Sequence, residues 1–114
     1  MATLYMREFG FRESLSDEEA LVDLRFMVDE LLPAIQGSEG IRSAKLFSGA
    51  GGLRSQLRLF VEMDHSAGYE RMLLNPQIRK HLKKLYAAWD LTTATQDFLR
   101  EVTPDLISAH TSSD

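Results

Sequence analysis

Residues 57–64 read Leu57-Arg58-Leu59-Phe60-Val61-Glu62-Met63-Asp64. The run alternates with a period of two, the spacing of a β-strand whose successive side chains point to opposite faces. Extended back to Ser55, it presents Leu57, Leu59, Val61 and Met63 on one side and Gln56, Arg58, Phe60 and Glu62 on the other. A strand with one wholly apolar face must lie on another layer, and the flanking segments supply helices for it.

Downstream, a helix is expected to start near Asp64 or Ser66, either of which has the side chain of an N-cap. Asn75-Pro76 should split or kink it, because the residue before a proline is pushed out of the helical region. Beyond the proline, Ile78, Leu82, Leu85, Tyr86 and Trp89 share a face. A last strand, about Thr93 to Val102, ends before Pro104. Upstream, Ser48-Gly49-Ala50-Gly51-Gly52 reads as a hairpin loop joining a strand over roughly Arg42 to Phe47. It lacks the lysine–serine/threonine ending of a phosphate cradle and precedes a strand rather than a helix.

Before that strand, Ser16 and Glu19 form a capping-box signature, and Asp17, Glu18 and Glu19 suit the positive end of a helix dipole. Leu21, Leu24, Val28, Leu31, Leu32 and Ile35 fall on one helical stripe. Pro33 should kink or end the helix. Val22, Phe26 and Pro33 project away from that stripe, where they are candidates to receive the C-terminal segment or a partner. The first strand runs from about Thr3 to Phe11. The order is therefore βαββαβ: an α+β, ferredoxin-like two-layer sandwich, with two helices on one face of a four-stranded antiparallel sheet. The domain is expected over residues 1–107, with a polar, flexible tail over 108–114.

The 114 residues suffice for one domain. The net charge of −4 argues against general nucleic-acid binding. Absence of cysteine removes disulfides, thiolate metal sites and cysteine nucleophiles, and suits a cytoplasmic protein. No apolar run approaches the roughly 20 residues of a membrane span. No signal-peptide profile is evident. Three scattered histidines have no metal-ligand spacing. No cofactor, metal, nucleic acid or membrane is expected as a partner.

The sheet face away from the helices needs a cover. It is expected to carry Tyr5, Arg7, Phe9 and Phe11 from strand one, Ser43, Lys45 and Phe47 from strand two, and Arg58, Phe60 and Glu62 from strand three. So many aromatics left in water would exceed the apolar patch of most monomers. A symmetric dimer that buries two such faces removes the problem.

The strand Leu57 to Asp64, the segment YERMLLNPQIRKHLKKLYAAW (Tyr69 to Trp89) and a final strand together resemble the second half of the dimeric α/β-barrel superfamily. That superfamily includes antibiotic-biosynthesis monooxygenase-like and stress-responsive barrel families. The resemblance implies a homodimer in which two sheets join into a barrel, with a ligand cavity beside each sheet. Haem-degrading members use an asparagine in strand one, with a tryptophan and a histidine in helix two. Here strand one has Arg7 and Glu8 at its centre, and Trp89 follows His81. That departure counts against haem degradation.

Two histidines are catalytic candidates. His65, beside Asp64, has a carboxylate that could orient its imidazole for proton transfer; it could equally be a solvated capping residue. His81 lies at the margin of an apolar stripe within Arg79-Lys80-His81-Leu82-Lys83-Lys84, a run that otherwise reads as a solvated helix face. For ligand binding the candidates are Tyr5, Arg7, Phe9, Lys45, Phe47, Arg58, Phe60 and Glu62. Basic groups among aromatic rings suit a small aromatic or anionic molecule. Intersubunit ion pairs and barrel filling would use the same residues. The expected function is small-molecule binding; the alternative is a cofactor-independent monooxygenase acting on a phenolic or polycyclic aromatic substrate.

Overall fold

The computed structural model describes residues 2–54, 56–92 and 94–111. Ser55 and Thr93, at the expected starts of two strands, and residues 112–114 of the expected tail lie outside the described residues. The elements are β1 Thr3–Phe9, α1 Asp17–Phe26, a π-helical turn Met27–Leu31, α2 Leu32–Gln36, β2 Ile41–Phe47, β3 Leu57–Met63, α3 Ala67–Leu74, α4 Pro76–Tyr86, β4 Thr95–Leu99 and α5 Pro104–Thr111. The sheet order is β2-β3-β1-β4 with every neighbouring pair antiparallel. This is the ferredoxin-like arrangement expected from the sequence, with one helix added at the C-terminal end.

The helix starts follow from local chemistry. Ser16 Oγ accepts the Glu19 amide at 3.1 Å while Glu19 Oε1 accepts the Ser16 amide at 3.2 Å, completing the capping box. Asn75 Oδ1 accepts the Gln77 amide at 3.0 Å and opens α4, so Asn75-Pro76 divides the second helical segment as expected. At α3 the cap differs: His65 Nδ1 accepts the Ala67 amide at 3.2 Å, whereas Asp64 pairs with Arg42.

Pro33 does not end the first helical segment. The π-helical turn ahead of it carries the Leu32 amide to the Met27 carbonyl, and the chain stays helical to Gln36. The buried stripe is Ala20, Met27, Leu31 and Ile35, an i, i+3/i+4 spacing about 50° from the expected one, while Leu21 and Val28, expected in the core, are exposed. Phe26 is not an outward patch either. Its ring packs edge-on to His81 with centroids 5.0 Å apart, under the Lys84 ammonium at 3.9 Å.

The core lies between the sheet and the helices. Leu57, Leu59, Val61 and Met63 are buried there against Met72, Ile78 and Leu85. A Cβ on Gly68 would stand 3.2 Å from Met63 Cβ, so α3 sits on β3 at a spacing that favours glycine. Ladder partners share a face, and β1 pairs with Tyr5 opposite Val61, Arg7 opposite Leu59 and Phe9 opposite Leu57. Tyr5, Arg7 and Phe9 therefore point to the helices, not to the uncovered face as expected. Phe11 is also buried, bridged to Trp89 beyond the end of β1.

The uncovered face is made instead by Leu4, Met6 and Glu8 of β1 beside Glu62, Phe60 and Arg58 of β3, with Ser43, Lys45 and Phe47 of β2. At the C-terminal end, residues 108–111, assigned above to a loose tail, finish helix α5. Thr103 Oγ1 accepts the Leu106 amide at 3.1 Å and starts that helix. No helix among the described residues is long and apolar enough to cross a membrane.

The register of β1 is open to a direct test by urea unfolding. Phe9→Ala should cost about 3–5 kcal/mol, the range for an aromatic removed from a core. Its neighbour Glu8, half-buried on the open face and 3.7 Å from Arg58, should cost no more than about 1 kcal/mol when replaced by alanine. The opposite ranking would mean that β1 presents its other face.

Candidate functional site

The candidate ligand residues separate into two groups on opposite faces of the sheet. Lys45, Phe47, Arg58, Phe60 and Glu62 stay together on the open face. The rings of Phe47 and Phe60 meet edge-to-face at 5.4 Å, and with Arg58 and Gln56 they border a shallow hollow of about 260 Å³. Arg58 pairs with Glu8 of its own chain rather than with Glu62.

Tyr5, Arg7 and Phe9 belong to the second group, in the layer between β1, β4 and helices α3 and α4. Arg7 is the only charged residue that β1 sends into this layer. Its Nη1 donates to Tyr86 Oη at 3.2 Å. The guanidinium carbon lies 5.3 Å from the Tyr86 ring centre and 5.6 Å from that of Trp89. Trp89 in turn stacks on Phe9 at 4.1 Å. Arg7 Nε and Trp89 Nε1 are buried and find no hydrogen-bond partner among the described residues. Two donors thus remain beside an aromatic wall, an arrangement suited to an oxyanion carried on a flat ring.

Next to the arginine stands a triangle of rings, Tyr5, Tyr69 and Phe98, with centroid separations of 4.9, 5.1 and 5.0 Å. The Tyr5 hydroxyl donates to Gln96 Oε1 at 3.1 Å. Burial, reinforced by neighbouring Tyr69, pushes the Tyr5 pKa up to about 12, although Arg7 pulls the other way. Tyr5 is therefore a neutral hydrogen-bond donor throughout the ordinary pH range, not a phenolate nucleophile or base. Because β4 is the edge strand and Phe98 is half exposed, this side of the layer opens to solvent.

The histidines do not join this group. His65 is exposed and engaged as the cap of α3. His81 faces Phe26 on the α1 side of α4, its Nε2 buried without a partner among the described residues. No cluster of three metal-ligating side chains is present among the described residues. Tyr69, Tyr86, Trp89, Gln96 and Phe98 were not named as ligand residues from sequence. Tyr86 and Trp89, three apart at the end of an amphipathic run, carried a usable signal; Gln96 and Phe98 become neighbours of β1 only through the β1–β4 register.

No protein-family model and no curated protein matches the chain. Solved structures do. A dimeric protein of unknown function from Bacteroides fragilis with a ferredoxin-like fold aligns with a TM-score of 0.74 at 15% identity, covering 88% of this chain and 96% of its own. A dimeric ferredoxin-like protein from Thermobifida fusca aligns at 0.70 and 12%, covering 89% and 92%. A cofactor-independent oxygenase from Streptomyces nogalater aligns at 0.66 and 12%, covering 90% and 97%. At these identities the likeness establishes architecture: the chain has the ferredoxin-like α+β fold.

Proposed function

We propose that the protein is a cytoplasmic homodimer that binds a small aromatic anion, a carboxylate or a phenolate, between the β1–β4 side of its sheet and helices α3 and α4. The observation that carries this reading is Arg7, a guanidinium set between Tyr86 and Trp89 with its Nε buried and unpartnered. An oxyanion there would accept charge-assisted hydrogen bonds while the ligand ring meets the Tyr5–Tyr69–Phe98 triangle. The open face, with Lys45, Phe47, Arg58, Phe60 and Glu62, is assigned to subunit pairing. It is uncovered in the single chain, and the Bacteroides and Thermobifida structures of the same fold are dimeric.

The fold of the Streptomyces oxygenase favours a second reading, cofactor-independent oxygenation of a phenolic substrate in the same layer. In that case the water-poor surroundings of Arg7 would hold an aromatic anion for reaction with oxygen. The two readings separate on oxygen consumption. A binding protein leaves the uptake rate with a naphthoquinol at its background value, whereas an oxygenase raises it and loses the gain in Arg7→Ala.

Trp89 is the sole tryptophan and adjoins Arg7, so its fluorescence reports the surroundings of the arginine. Titration with 1-hydroxy-2-naphthoate should quench it saturably. Arg7→Ala should weaken that binding tenfold or more, the value of one charge-assisted hydrogen bond at about 1.5–3 kcal/mol. Equal quenching of a folded Arg7→Ala protein would exclude the site. Native mass spectrometry of the same preparation should show a dimer.

Tyr5 gives a pH prediction. A folded-state pKa of about 12 lies above the ordinary tyrosine value of 10. The stabilising contribution of this group is complete below pH 10 and is lost as pH rises toward 12. Tyrosinate absorbance should show one of the three tyrosines ionising late, and Tyr5→Phe should abolish that late step.

A further inference from the structure

Two apolar surfaces of the chain have no partner among the described residues. The first is a groove between α1 and the end of β2. Leu21, Leu24 and Val28 form one wall and Phe47 and Leu53 the other, around a volume of about 320 Å³. It continues past Leu21 and Leu53 into a second hollow of about 330 Å³. Leu53 is 60% exposed, and Leu21, Val28 and Phe47 are each about half exposed. Exposed leucines and a phenylalanine gathered in one concavity mark an interaction site, unlike scattered surface apolar residues.

The second surface is the arm that follows β4. Helix α5 buries none of its residues, and Val102 and Ile107 are 72% and 57% exposed. The arm leaves the body of the domain. The longest dimension is 56 Å against 31 and 21 Å. The radius of gyration is 16.1 Å, where a compact domain of this length has about 13 Å.

We infer that the β4–α5 arm of one copy lies in the α1–β2 groove of a second copy, each copy supplying one arm and one groove. This rests on the homodimer reading above and specifies how the two copies hold each other. The sheet order puts β2 and β4 on opposite edges, so groove and arm of one chain lie on opposite sides of the same sheet. A two-fold axis brings each arm to the other copy's groove and leaves neither surface over, which is the condition for a closed, self-complementary interface. Charges of both signs rim the two surfaces, Arg25 paired with Asp29 at the groove and Arg100, Glu101 and Asp105 around Val102 on the arm, so no like-charge block opposes the docking. Phe47 borders both this groove and the open-face hollow, so the exchanged arm is continuous with the paired sheets.

The chain has no cysteine, so single introduced thiols report proximity without background. Val28→Cys in the groove and Ile107→Cys on the arm are prepared separately, unfolded together, refolded as a mixture and treated with a short bismaleimide. A covalent dimer that forms in the mixture, and far less in either variant alone, is the expected result. Val102→Asp, at a position exposed in the single chain and so harmless to its folding, should raise the dimer dissociation constant tenfold or more. A dimer by native mass spectrometry that gives no cross-link in the mixture, or that Val102→Asp leaves unchanged, overturns arm exchange while the homodimer reading stands; the groove would then belong to a different protein. Closure of Val28→Cys/Ile107→Cys within one chain overturns it as well. A monomeric wild-type protein ends both readings.

Discussion

The alignment of β1 against β3 is the constraint on which the rest of the molecule depends. With Tyr5 opposite Val61 and Phe9 opposite Leu57, two aromatic rings enter the layer beneath the helices, and Arg7 enters between them opposite Leu59. Side chains alternate with a period of two, so a shift of one residue would exchange the whole set for Leu4, Met6 and Glu8. The energetics choose decisively. Tyr5 and Phe9 are almost fully buried, and aromatic side chains carry the largest hydrophobic contribution of any residue. The alternative register would bury Glu8 in their place. The open face inherits what remains, Met6, Phe60 and Phe47 among charges, a mixed surface suited to pairing.

The helical layer shows a similar trade. Pro33 cannot donate a backbone hydrogen bond, and a regular helix would have to break there. The π-helical turn Met27–Leu31 absorbs the irregularity and lets α2 keep Ile35 in the core. With Ala20 and Met27 turned to the core, their neighbours Leu21 and Val28 stand outward beside Phe47 and Leu53 and line an apolar groove on the surface.

Much of this was legible from residue order. Strand β3, the capping box at Ser16, the division at Asn75-Pro76 and the glycine hairpin are local signals, and each was read from a few neighbouring residues. What failed was non-local. Strand one carries apolar residues and a charge on both parities, Tyr5, Arg7, Phe9 and Phe11 against Leu4, Met6 and Glu8, so periodicity alone could not say which side meets the helices. A helical wheel drawn on the leucines centres its stripe about 50° from the true one, because the buried Ala20 and Met27 carry a weaker hydrophobic signal than Leu21 and Val28. Arg7 and Phe60 were grouped from composition, but the sheet lies between them. The partners of Arg7, namely Tyr86 and Trp89, are about 80 positions away, beyond the reach of any local pattern.

Arg7 is where stability and recognition pull apart. A leucine or methionine at this position would fill similar space opposite Leu59 and leave no donor unsatisfied. The arginine instead leaves its buried Nε without an acceptor among the described residues, a cost of about 1–3 kcal/mol. Stacking against Tyr86 and Trp89 returns about 0.5–2 kcal/mol, and the bond to Tyr86 about 1 kcal/mol more, so the residue is close to neutral for folding. A cation that adds nothing net to the fold, held rigidly between two rings on a core strand, is better explained by what it can bind. Pre-organisation of this kind keeps the ordering cost out of the binding step. The same reasoning separates Arg7 from Arg58, whose exposed pairing with Glu8 is worth little and fixes nothing in place.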